Sequence, residues 1–194
     1  MKKTVLILLF AAGTYMIQSC DSPNKGADDT VEHAMDENEE MLDQAGDAAN
    51  MENNDTDFAV EAANSGLTEV QVGEIAQQKA VDQRVKDFAA MMVQDHTQAN
   101  EELKALAASK NITLPTAPGE DHLESISSLN ETSGAEFDKE YMGLMVDEHQ
   151  KAVDLFEEAA ENSEDAEIRA FASQKLPALQ KHLEDAKTLE ESLD

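Results

Sequence analysis

Apolar residues recur at helical spacing in four long runs, with polar residues filling the other faces. Between Val85 and Leu106, at about 100° per residue, Val85, Phe88, Ala89, Met92, Ala99, Leu103 and Leu106 form one stripe. Lys86, Asp87, Gln94, Glu101 and Lys104 fall off it. His96 lies inside the stripe. The same arrangement, an imidazole on an apolar face, recurs at His149 between Met145 and Phe156 and at His182 between Leu179 and Ala186. Asp82 is placed to cap the first of these helices, which should end near Lys110-Asn111. An earlier run, Asp57 to Asn64, is expected to break or kink at Ser65-Gly66-Leu67. It restarts at the capping-box pattern Thr68-Glu69-Val70-Gln71 and continues to about Ala80. Ser133-Gly134-Ala135-Glu136 opens a helix to about Glu161, and Ser163 is expected to cap the last, to about Leu189. Pro177 removes one helical N–H inside it, which predicts a kink.

Between the second and third long helices lies Leu114-Pro115-Thr116-Ala117-Pro118-Gly119, which is loop chemistry, followed by a short amphipathic stretch from Glu120 to Leu129. Two tight turns and one connection of this length predict an all-α fold, a four-helix bundle. The long connection permits ferritin-like topology, with the second and third helices parallel, and leaves strict up-down-up-down open.

Composition sharpens this picture at two points. Aromatic content is only 4%, with no Trp, so the core must be aliphatic and rich in alanine. The formal charge of −28 disfavours nucleic acid and anionic lipid surfaces as direct partners. The first residues follow another grammar. Met1-Lys2-Lys3, an apolar run from Val5 to Ala12, and Ile17-Gln18-Ser19-Cys20 resemble a bacterial lipoprotein signal with its lipobox. That resemblance makes residues 1–19 a signal peptide and Cys20, the one cysteine, the lipid-modified residue. It places the protein in the cell envelope, anchored to the outer membrane. Residues 20–55 hold twelve Asp or Glu after Cys20 against Lys25 alone. They read as a disordered acidic tether with weak helical character from Val31 to Ala45. Residues 56–192 then form the bundle domain.

The ordered set Phe58, Gly66-Leu67-Thr68-Glu69-Val70, Phe88-Ala89-Ala90-Met91-Met92-Val93-Gln94-Asp95-His96, Phe137-Asp138-Lys139-Glu140-Tyr141…His149 and Leu176-Pro177…His182-Leu183 resembles a bacterial envelope family called domain of unknown function 4142. The resemblance implies a ferritin-like fold and a secreted or membrane-anchored protein. It implies no reaction.

One protonatable group per helix sits in or beside the apolar stripe: Glu69, His96, His149 and His182. Counted at ~1.5 Å per residue from a shared end, with the middle helices parallel, the set spans on the order of 9 Å. Imidazole with carboxylate suits Zn²⁺, Fe²⁺ or Cu²⁺, so these four are candidate metal ligands, with Asp95, Asp138 and Tyr141 as outer hydrogen-bonding partners. A buried polar network without metal is the competing expectation. The Glu-x-x-His pairs of di-iron bundles are absent, because Val93, Val146 and Leu179 occupy the positions three before each histidine. No nucleophile or phosphate loop supports catalysis, and His33 and His122 receive no role. Two functions therefore stand. One is a non-enzymatic envelope lipoprotein, binding a protein partner that the sequence does not name or contributing to stress tolerance. The other is a metal-binding or metal-dependent redox protein. A small-molecule site beside Gly73 and the methionine-rich faces is a third expectation.

Overall fold

The computed structural model describes residues 28–45 and 53–193, and the described residues are all-helical with short connections. Six helices follow in order: α1 (Asp28–Ala45), α2 (Asn53–Lys79), α3 (Gln83–Lys110), α4 (Glu120–Glu131), α5 (Gly134–Asn162) and α6 (Ala166–Glu191). None of them is long and apolar enough to cross a membrane. Cys20 and the signal segment lie outside the described residues.

The four long helices form two hairpins. Asp82 caps α3 as expected, accepting from the Arg84 N–H at 2.8 Å, and Asn111 ends it with φ 60°, a left-handed conformation that asparagine tolerates. Between α5 and α6 the cap differs from expectation. Asp165 accepts from the Glu167 and Ile168 N–H groups, while Ser163 closes α5 with its own N–H on the Ala159 carbonyl. A carboxylate at Asp165 reaches two orphan amides at once, which Ser163, two residues earlier, cannot.

The hairpins pack α2 on α5 and α3 on α6. Asp138, near the start of α5, accepts from the Val81 and Asp82 N–H groups in the turn between α2 and α3. Lys110, ending α3, pairs with Asp165 at the start of α6. Hence α3 and α5 run parallel, and the connection containing α4 returns the length of the molecule.

Two expectations about α2 and the acidic segment are overturned. First, α2 is continuous through Ser65-Gly66-Leu67, and the Thr68 hydroxyl donates back to the Asn64 carbonyl at 2.9 Å instead of capping a new helix. Glycine serves a different end here. A Cβ on Gly66 would lie 2.0 Å from Asn100 Oδ1, and one on Gly73 2.8 Å from a Val93 methyl, so the two glycines let α3 approach α2 closely. The small-molecule space expected beside Gly73 is taken by Val93. Second, the stretch expected to be a disordered tether is, over 28–45, helix α1 packed on α2. It is held less by apolar area than by amide chemistry. Buried Asn38 accepts from the Thr113 N–H at 2.7 Å and donates to the Thr113 carbonyl at 3.0 Å, and the Thr30 hydroxyl donates to the Ala117 carbonyl. A hydrophobicity argument has no means of registering such a bidentate bond.

The core is divided. One apolar cluster contains Phe58, Leu103, Phe156, Ile168 and Phe171, and the other contains Val72, Phe88, Met92, Phe137, Tyr141 and Met145. Between them, at one level, lie Glu69, His96, His149 and His182, all buried.

Candidate metal centre

Each of the four long helices contributes one side chain to this polar layer: Glu69 from α2, His96 from α3, His149 from α5 and His182 from α6. The ring centroids stand 5.3 Å apart for His96 and His149, and 5.5 Å apart for His182 with each of them. One nitrogen from each ring lies within 4.8 Å of those of the other two.

The hydrogen bonds behind the rings decide what faces the centre. His96 Nδ1 donates to Glu69 Oε2 at 2.7 Å, His149 Nδ1 donates to the Met145 carbonyl at 2.9 Å, and His182 Nε2 donates to Asp95 Oδ2 at 3.1 Å. The nitrogens left without a partner are His96 Nε2, His149 Nε2 and His182 Nδ1. Each ring is therefore oriented from outside by an acceptor and turns its other nitrogen inward. This is the arrangement by which proteins orient and polarise metal-binding imidazoles. A buried polar nitrogen without a partner costs about 1–3 kcal/mol, and three in one place call for a shared cation. In a tetrahedral site with bonds of ~2.0–2.1 Å the nitrogens stand roughly 3.3 Å apart, so the rings need close by no more than about 1.5 Å.

Glu69 is thus not among the three inward donors. The sequence ranked it with the ligands; its Oε2 accepts from His96, and its Oε1, buried without a hydrogen-bond partner, lies 3.4 Å from His149 Nδ1. Asp95 meets the layer through His182. Asp138 does not meet it, being engaged at the α2–α3 turn. Tyr141 is buried in the neighbouring apolar cluster, stacked on Phe137 with an interplanar angle of 3°, and its hydroxyl has no partner.

Protonation follows the same layout. Burial works against the charge on Glu69, but the adjacent His96 and His149 outweigh it and bring its carboxyl down to about 2. Burial also opposes protonation of His96, and there the charge and hydrogen bond of Glu69 prevail, raising its pKa. His149 is lowered, by burial first and despite Glu69. His182 is lowered to about 4, by burial and then by repulsion from the other two rings. Burial and the Glu69 charge push the Tyr141 phenol far above its usual range, so it stays neutral. In the metal-free layer these shifts favour charge on Glu69 and His96 and neutral rings at His149 and His182.

A second buried polar contact escaped the sequence. The Asn64 amide accepts from the Gly119 N–H and donates to His122 Nδ1, which leaves His122 Nε2 to donate to Glu148 at 3.1 Å. Burial raises the Glu148 carboxyl, but His122 and Lys151 overcome this and lower it. His122 lies in α4, not in a loop, and Glu148 beside His149 was the available signal. The contact fastens α4 across α2 and α5.

Fold and centre together define an all-helical protein whose paired hairpins enclose a three-histidine cluster capable of holding a metal. Residues 40–189 match the family described as Domain of unknown function (DUF4142), and the chain belongs to that family. No curated protein matches it. Among solved structures, it is similar to "CopM in the Cu(II)-bound form", with a TM-score of 0.60, 18% identity, and coverage of 72% of this chain and 97% of that one. It is also similar to a DUF305 fragment from Deinococcus radiodurans, with a TM-score of 0.62, 13% identity, and coverage of 74% and 97%. At these identities the likeness is one of fold.

Proposed function

We propose that this protein binds one divalent transition-metal ion through His96 Nε2, His149 Nε2 and His182 Nδ1. The observation that carries this reading is that all three unpartnered ring nitrogens face one another, while every opposite nitrogen is held by a carboxylate or a carbonyl. An all-imidazole donor set suits Cu²⁺ or Zn²⁺ better than Fe²⁺, which favours two histidines with a carboxylate. Copper is the first ion to try, because a protein of similar fold has been solved with Cu(II) bound. We read the four long helices as a bundle of ferritin-like connectivity, supported by the parallel course of α3 and α5. The N-terminal residues support a lipid anchor at Cys20 and an outer-membrane location, which would put the centre at the envelope.

The test is titration of the full chain, prepared without chelator or affinity-tag metal, with Cu(II) and Zn(II). One ion per chain is expected, bound with a rise in melting temperature. His96→Leu and His149→Leu should each abolish both effects while circular dichroism stays helical. A wild-type chain that takes up no ion and shows no thermal response would leave the layer as a purely structural network.

A further inference from the structure

Three nitrogens leave a four-coordinate ion one donor short, and the two sides of the histidine layer differ. On one side Met92 and Met145, one turn before His96 and His149, pack with Tyr141 into a filled core. On the other side a cavity of about 210 Å³ opens to solvent, with Glu69, His96 and His182 in its wall. Its remaining lining comes from the parts of all four long helices that lie on that same side. Small residues, including Ala62, Gly66, Ala99 and Ala178, create the space. Leu103, Leu155, Phe156, Phe171 and Leu179 make most of its surface apolar.

We propose that this cavity binds a neutral, single-ring nitrogen heterocycle that supplies the fourth donor to the ion. The proposal rests on the metal-binding reading above and adds the class of ligand to it. Size sets the first limit, since a cavity of roughly 150 Å³ with apolar walls accommodates benzene. Charge sets the second. A divalent ion with Glu69 and Asp95 against its histidines is already balanced, so an anion brings an uncompensated charge into apolar surroundings, whereas a neutral donor does not. Lys175 offers an anion little help, because it is paired with Glu102 at 2.6 Å. Among the described residues, the cavity side is the one that opens the layer to a donor from outside the chain.

The experiment uses the full chain loaded with Cu(II), its metal content measured first, with imidazole and azide as probes. Imidazole should shift the visible and electron paramagnetic resonance spectra saturably, with the ion retained on dialysis. Azide should bind at least about tenfold more weakly, a difference of about 1.4 kcal/mol. Ala99→Leu and Ala178→Leu narrow the cavity from two helices while keeping all three histidines. Each should hold the ion as wild type does and lose the response to imidazole. Absence of copper from the loaded wild-type chain overturns the metal centre and this proposal with it. Bound copper with a spectrum indifferent to imidazole overturns the cavity ligand alone. So does a response preserved in both folded variants, azide binding as tightly as imidazole, or removal of the ion by imidazole.

Discussion

Glu69→Gln separates a carboxylate that binds metal from one that orients a ligand. The substitution keeps the side chain's shape and one acceptor for the His96 Nδ1–H, now 2.7 Å from Oε2, but removes the charge that polarises the ring. Losing such an outer partner typically costs 10- to 100-fold in metal affinity, which corresponds to ~1.4–2.7 kcal/mol. Competition with a chromophoric chelator at fixed pH should therefore show Glu69→Gln binding one ion with affinity reduced within about that range. Its pH dependence should also flatten. Glu69, more than Asp95, raises the His96 pKa, and a proton on that ring competes with an incoming ion. Complete loss of binding, as for His149→Leu, would make Glu69 a direct ligand and refute the orientation drawn from the hydrogen bonds. Unchanged affinity would refute the view that the carboxylate organises the centre at all.

Other outcomes follow from the same geometry. In the metal-free protein, His182 is depressed from 6.5 to about 4, so its contribution to stability is complete above 6.5 and lost as pH falls toward 4. His96, raised, contributes in the opposite sense, and that contribution fades as pH rises through its folded pKa. Thermal melts from pH 7 to pH 4 should show a falling midpoint, and His182→Phe should shrink the fall. Asn38→Leu strips both bonds from Thr113 and should cost about 1–3 kcal/mol in denaturant unfolding, a loss incompatible with a dispensable tether. Cys20→Ser should move the protein from the detergent phase to the aqueous phase in membrane partitioning, and an unchanged distribution would remove the lipid anchor.

The long helices were legible because amphipathic periodicity is a local property, and the four layer residues because rise per residue converts position into depth. Family membership was legible for the same reason, in motifs that lie on those faces. What periodicity cannot supply is distance between residues on one face, or which atom of a ring points inward. Asp138 shares a line with His149, yet eleven residues at ~1.5 Å separate them by roughly 16 Å, and it ends at the α2–α3 turn. Glu69 was placed at the correct level, but level does not distinguish a donor to metal from a support behind a histidine. The docking of helix α1 and the His122 contact stayed hidden because single amides and carboxylates hold them, not stripes. Gly66 looked like a helix breaker because its partner, Asn100, is distant in sequence.

The polar layer also partitions the molecule mechanically. Each apolar cluster draws on all four long helices, and truncating Phe58 in one and Phe137 in the other removes contacts on opposite sides of the polar layer. Their costs should simply add in the metal-free chain, as those of separated sites do. An ion spanning α3, α5 and α6 would act as a rivet across the seam between the hairpins, so that loosening one end is felt at the other. Departure from additivity on metal loading would then measure how far the centre makes two half-cores behave as a single body.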